Sequence, residues 1–244
     1  MDSPLKRNLF WAVARLDPDP AWGRMEERDF QAIRSPALAP VMNLAWGPPT
    51  RRNLARSRAF FGPLRHRWFM DPGPEEGPLA GAGYQPGEDT REMVLDLASA
   101  TAPSLGPGVE VAEAGPGDWE AWCRICGEVF GTGAEAEAAV QGPFVQVAGH
   151  GAFLARLDGH PVATALVSNG EGTGGVHNVA TLPPFRGRGL GAAVTWACVE
   201  RARAWGLERL ALYASPMGAP VYQRLGFRTF GILREFLSPP SPPP

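Results

Sequence analysis

The sequence predicts an α/β (α+β) protein in which a mixed sheet is covered by helices. Three observations carry that expectation. Apolar strand-like runs alternate with amphipathic stretches beyond residue 108. An Asp-Gly pair joins "AFLARLDG" to "HPVATALVSNG", a hairpin signature. A basic glycine turn, "RGRGLG", separates the run "GVHNVATL" from the long stretch "LGAAVTWACVERARAWG".

The elements follow in order. Helix-like segments fill the first 60 residues, and in "RRNLARSRAFFGPLRHR" the spacing predicts a helix with a solvated Arg face and with Leu54, Phe60 and Phe61 inward. "HRWFM" reads as a strand, followed by a Pro/Gly turn, a short helix around Leu79 and the strand "EMVLDLA". Pro and Gly in "SATAPSLGPG" mark a division near residues 99–108. Beyond it come a strand at 109–113, a helix from Trp119 and helical sequence around 134–140. That first helix places Trp119, Trp122, Cys126 and Phe130 on or near one face. The hairpin and the glycine turn lead into a helix from Leu190, which Gly206 ends. "LERLALYAS" is a strand, "GAPVYQRLG" a short helix opened by proline, and "FRTFGILREFL" the last strand.

Composition removes several function classes. The chain has 244 residues, 44% of them hydrophobic, enough for one large domain or two smaller ones. Lys and Arg total 23 against 25 Asp and Glu, a balance that predicts neither a nucleic-acid partner nor a membrane surface. No apolar run approaches the ~20 residues of a spanning helix, and no secretory signal is legible, so the expected location is the cytoplasm. Three cysteines form no disulfide framework. Cys123 and Cys126 make an isolated CxxC inside a helical pattern and read as structural thiols, and no histidine sits at metal spacing.

The glycine turn suits a pyrophosphate, and the residues discriminate between its possible owners. Gly187, Gly189 and Ala192 match GxGxxA formally, but Pro183, Pro184, Phe185 and Arg186 intervene after the strand and no acid stands at the end of the next one. A triphosphate loop lacks its GK[ST] element, and Lys6 is the only lysine in the chain. What remains is a strand, a turn carrying Arg186 and Arg188, and a helix whose first-turn amides are flanked by small residues.

"RGRGLG", residues 186–191, resembles the R/Q-x-x-G-x-G/A signature of the GNAT superfamily of acyl-CoA-dependent N-acetyltransferases. "HNVATLPPF" is similar to its central strand and "YQRLGF", residues 222–227, to its late Y-x-x-x-GF element. The resemblance covers residues 108–238 and implies a largely antiparallel mixed sheet flanked by helices. It implies acetyl-CoA as cosubstrate, without a metal. Arg186, Gly187, Arg188, Gly189, Leu190 and Gly191 would hold the pyrophosphate, mainly by backbone N–H groups. Val179 and Thr181 would offer main-chain groups to the pantetheine arm. Tyr222 would protonate the departing thiolate, although such a tyrosine taken alone reads as a packing residue. Strand alternation puts His177 on one face with Val179 and Thr181, which makes it a candidate to accept the amine's proton, with a neutral structural histidine as the alternative.

Residues 66–97 resemble the N-terminal lobe of two-lobed bacterial GNAT proteins, a degenerate echo of the strand–helix–GF–strand end of the second lobe. The expected organisation is a degenerate lobe or helical extension over 1–100, the acetyltransferase domain over 108–238 and a Pro-rich tail over 239–244. The expected activity is acetyl transfer to a primary amine by direct attack. The alternative is a non-catalytic CoA-binding regulatory or structural module. The acceptor is open, with a small molecule favoured because no charged track suggests a polymer, and the chain is expected to be a monomer or homodimer.

Overall fold

A computed structural model describes residues 3–14, 22–35, 42–73, 76–146, 148–170 and 172–240. Helix α1 (Pro4–Val13) starts where the Ser3 hydroxyl accepts from Lys6 N at 2.9 Å and Pro4 occupies the first turn. Three short strands follow: β1 (Gly23–Glu26), β2 (Gln31–Arg34) and β3 (Leu44–Trp46). The first 60 residues, expected to hold helix-like segments, thus contain three strands as well. Helix α2 (Arg51–Phe61), capped by Thr50, buries Leu54 and Phe61 and half-buries Phe60 under the Arg34 guanidinium, as its pattern predicts. Next come β4 (Arg67–Met70), α3 (Gly77–Gly81), β5 (Gln85–Pro86) and β6 (Thr90–Asp96).

The second half begins with β7 (Val109–Glu113), α4 (Trp119–Phe130) and α5 (Ala134–Gln146). Strands β8 (His150–Leu157) and β9 (His160–Ser168) form the expected hairpin, turned by Asp158 and Gly159 with φ of 50° and 81°. Then follow β10 (Thr173–Thr181), α6 (Leu190–Ala204), β11 (Arg209–Ala214), α7 (Ala219–Arg224) and β12 (Arg228–Leu237). Residues 241–244 of the expected tail lie outside the described residues.

All these strands join one 12-stranded sheet of order β1-β2-β3-β4-β12-β6-β11-β10-β9-β8-β7, with β5 beside β12. Strand β12 is the link: Arg228–Leu233 pairs with β6, and Arg234–Leu237 pairs with β4. Strand β6, from the first hundred residues, lies between β11 and β12. Leu210, Leu212 and Ala214 of β11 pack with α6 and α7 on one face, while Ala211 and Tyr213 pack with α1 on the other. Helix α4 covers that second face beside β9 and β10 through Trp122, Ile125 and Cys126. Phe130, expected on or near one face with Trp119, Trp122 and Cys126, is 44% exposed, whereas Trp122 and Cys126 are buried.

Candidate active site

Strand β10 pairs in parallel with β11 only over Thr173–Gly175. From Val176 onward the two strands separate, and the gap gives access to the sheet interior from its edge. Opposite β9, β10 carries a bulge: His177 faces Leu166, but Ala180 faces Thr164, so three steps on one strand match two on the other. Asn178 fills the extra position with φ of 51°. Its carbonyl accepts from Thr164 Oγ1 at 3.0 Å, and its amide donates to Glu137 Oε2 at 3.2 Å.

The bulge corrects the predicted alternation. Thr181 pairs with Ala163 and Val179 packs against the same cluster as Val176, on the α6 face. His177 is left on the α1 face, where its Nε2 lies 3.0 Å from Ser168 Oγ. The Ser168 hydroxyl donates to Asn8 Oδ1 at 2.6 Å, and Asn8 Nδ2 donates to the carbonyls of Asn169 and Thr173, each at 3.1 Å. Those three bonds fix the Asn8 orientation. With its one proton given to Asn8, Ser168 can only accept from His177, so His177 Nε2 carries the hydrogen. Burial, with His150 nearby, lowers the His177 pKa to about 3. So low a pKa makes the imidazole a weak base toward an ammonium proton, and its remaining acceptor is Nδ1.

Gly187 and Gly189 adopt φ of 76° and 77°, a region that favours glycine, and Arg186 to Gly189 are exposed. No side chain caps α6 at Gly189, and its first backbone closure runs from Ala193 N to Gly189 O. The amides of Leu190, Gly191 and Ala192 therefore lie in the first turn, where a helix has no acceptor of its own. A Cβ at Gly187 would meet nothing within 4 Å, and one at Gly191 would come only within 3.7 Å of Thr181 Oγ1. The turn thus has room for an anion with its N–H groups forward. The Leu190 side chain is buried, so only its backbone is on offer. Arg186 Nε donates to the Thr181 carbonyl at 3.2 Å, which occupies one main-chain group expected to serve a ligand.

A cleft of about 370 Å³ runs through the gap between β10 and β11. Leu9 and Tyr213 line it from one face of the sheet, and Val179 and Tyr222 from the other. Tyr222 is 7% exposed, and its ring meets Phe227 edge-on at 5.8 Å. Burial, reinforced by Cys198, raises its phenol pKa, so it holds its proton at neutral pH. Among the described residues its hydroxyl has no hydrogen-bond partner. Ser3 Oγ and Trp46 Nε1 instead approach Tyr213 Oη, at 3.4 and 3.3 Å.

Sequence reasoning missed Glu137. It is 0% exposed, accepts from Thr132 Oγ1 at 2.6 Å, and holds the Asn178 side chain at the bulge. Burial raises its pKa, partly offset by those bonds and by Arg67. Its only sequence signal was a glutamate behind the Thr-Gly pair that opens α5. Cys123, Cys126 and Cys198 are buried, with burial pushing the Cys123 thiol up to about 12, in agreement with structural thiols. Among the described residues no group of three or more His, Cys, Asp or Glu is placed to hold a metal, and no helix is long and apolar enough to cross a membrane.

Residues 119–227 match the Acetyltransferase (GNAT) family. The chain has the mixed α/β fold of the GNAT-superfamily acetyltransferases, a central sheet flanked by helices. A GCN5-related N-acetyltransferase from Kribbella flavida is 21% identical with a TM-score of 0.71, covering 98% of this chain and 97% of that one. One from Sphaerobacter thermophilus is 19% identical with a TM-score of 0.62, over 99% of this chain and 93% of that one. A tandem GNAT protein from the clavulanic acid biosynthesis pathway is 16% identical with a TM-score of 0.53, over 93% and 86%. No curated protein matches the sequence.

Proposed function

We propose that the protein transfers an acetyl group from acetyl-CoA to a primary amine by direct attack. The carrying observation is the conjunction of the open glycine turn at the N-terminus of α6 with a gap in the sheet into which Tyr222 faces. In this reading residues 186–191 bind the pyrophosphate through the uncapped amides, and the exposed Arg186 and Arg188 add positive charge around it. The edge of β10 past Val176 lies beside the pantetheine arm. The amine nitrogen bonds to the acetyl carbon as the carbon–sulfur bond breaks. The Tyr222 hydroxyl, protonated and without another partner, gives its proton to the leaving sulfur. The amine attacks in its neutral form and releases one proton to water, and water returns one to the Tyr222 phenolate, so protons balance.

The first hundred residues form, in this reading, a degenerate lobe over 1–100 beside an acetyltransferase domain over 108–238. The run β4–α3–β5–β6 repeats in outline the late strand–helix–strand of the second half, and β12 ties the two into one sheet. The site is read as single, because the glycine turn occurs once.

The test is thiol release from acetyl-CoA across a panel of primary amines, with thermal unfolding followed in parallel for acetyl-CoA, NAD and ATP. Acetyl-CoA alone is expected to raise the unfolding temperature, by mass action on the native state. Tight CoA binding without acetylation of any amine, peptide or lysate protein would replace this reading with that of a CoA-binding regulatory module.

A further inference from the structure

Resting on the acetyl-transfer reading, we propose that the acceptor is a small diamine, with its reacting nitrogen near Glu137 and its second, cationic nitrogen held by Glu88 and Glu235. The charged side chains on the cleft wall, the histidine aside, are three carboxylates, Glu88, Glu137 and Glu235, against one guanidinium, Arg67. Arg67 Nε lies 3.4 Å from Glu235 Oε1, so among the described residues this cation offsets one of the three carboxylates. The wall is therefore negative in sum, and a positive guest relieves it.

The carboxylates come from different parts of the fold, Glu137 from α5 and Glu88 and Glu235 from the β5–β6 turn and β12. Glu137 is tied through Asn178 to the bulge in β10, beside the strand edge given to the thioester arm. Glu235 lies on β12, where that strand pairs with β4, and the Gly87 amide next to Glu88 donates to the Glu235 carbonyl at 2.8 Å. Burial raises the Glu235 pKa; the Arg67 charge opposes that shift, and the neighbouring Glu88 charge adds to it. Burial likewise raises that of Glu137. A cation beside either carboxylate lowers the cost of keeping it ionised.

Two further features point to a ligand in this cleft. Tyr222, 7% exposed and without a hydrogen-bond partner among the described residues, faces the same cleft. On the same wall, Phe69, Phe130 and Tyr213 supply aromatic surface for an aliphatic spacer and for cation–π contact. A volume of about 370 Å³ suits a small molecule.

The experiment uses three amines of matched length: 1,4-diaminobutane, butylamine and 4-aminobutyrate. Binding to the whole protein is measured by calorimetry with CoA present, and thiol release from acetyl-CoA is measured separately. The diamine is expected to bind ~10-fold more tightly than butylamine, with aminobutyrate weakest, since one additional paired charge is worth about a decade in affinity. Glu235→Gln should lower the ratio of diamine to butylamine affinity ~10-fold. Glu88→Gln, at an exposed position outside the core, makes the same comparison if the first variant proves unstable. Equal binding of diamine and butylamine, or a preference for aminobutyrate, overturns the proposal. The two readings fail separately: absent thiol release and absent acetyl-CoA stabilisation refute the transferase, while the calorimetric order still decides the charge of the guest.

Discussion

Asn8 of α1 accepts a hydrogen bond from Ser168 at the end of β9 at 2.6 Å, across 160 residues of sequence. Through this contact the first helix is fastened to the β9–β10 turn, at the point where β10 is about to leave β11. The fit requires Gly175, because a Cβ there would collide with Asn8 Oδ1 and come within 2.5 Å of His177 Nε2. Asn8→Ala should therefore cost on the order of 2 kcal/mol, since it strips buried partners from Ser168 and two carbonyls. Gly175→Ala should cost more. In the double variant the added methyl enters the space vacated by Asn8, so the two costs should sum to clearly more than the measured total. Chemical denaturation of the four proteins gives the coupling, and strict additivity would refute the fastening role.

His177→Gln is expected to leave turnover nearly intact. The bulge turns His177 away from Val179 and Thr181, and its Nε2 hydrogen is directed at Ser168. Loss of a true general base costs ~10²-fold or more, so a decrease of that size in kcat, with unchanged acetyl-CoA affinity, would restore the histidine to the chemistry.

Gly191→Glu should abolish stabilisation by acetyl-CoA without unfolding the protein. The position has ordinary helical geometry and free space, and the nearest atom to a new Cβ is Thr181 Oγ1 at 3.7 Å. The carboxylate would then oppose the pyrophosphate at the helix N-terminus. Gly189 is a worse probe, because φ of 77° penalises any side chain and confuses strain with lost binding. An unchanged thermal shift in folded Gly191→Glu would remove the turn from the binding site.

Away from the cleft, His66 sets part of the acid stability. It is buried under Phe61 at 4.0 Å between ring centroids, and its Nε2 lies 2.8 Å from Ser57 Oγ and 2.7 Å from Tyr84 Oη. Burial lowers its pKa to about 4, from 6.5. Between those values the unfolded chain binds more protons than the folded one, so stability falls as pH drops through that window. The loss from pH 7 to 5 should be ~2 kcal/mol for this group. His66→Gln should flatten the urea-midpoint profile over that interval relative to the parent. A parallel pair of profiles would show that His66 is not charged on unfolding.

The second half of the fold was legible because its signals are local. Apolar period, the Asp158–Gly159 turn and Gly206 just past α6 each act within a few residues, and β7 to β12 fall where they were expected. The short strands β1 to β3 were not legible. "GRME" and "QAIR" carry charges and no alternating apolar face, and they are strands only because neighbouring chain pairs with them. The insertion of β6 between β11 and β12 is a long-range pairing with no local signature. The glycine turn and Tyr222 were visible as a spaced motif. The Asn178 bulge was not, since one extra residue in an apolar run leaves composition unchanged while reversing which way His177 points. Glu137 was hidden for a related reason: a glutamate in a first helical turn is ordinary on a surface, and only packing shows it to be buried.

Tyr222→Phe separates catalysis from packing. The ring sits among Leu225, Phe227 and Cys198 in the main core, and the substitution keeps that ring and its edge-on contact with Phe227. The hydroxyl has no hydrogen bond to lose among the described residues, so stability should change by less than ~0.5 kcal/mol. Turnover should fall ~10²-fold, the low end for a missing general acid, while acetyl-CoA affinity holds. The effect should be largest for acetyl-CoA, whose thiolate needs a proton, and smaller for a thioester with a more acidic leaving thiol. A structural tyrosine would behave otherwise, with rate and stability moving together or neither moving. Full turnover in a folded Tyr222→Phe protein would transfer the proton-donating role to another group on the cleft wall, where Thr90, Thr132, Tyr213 and Ser215 also carry hydroxyls.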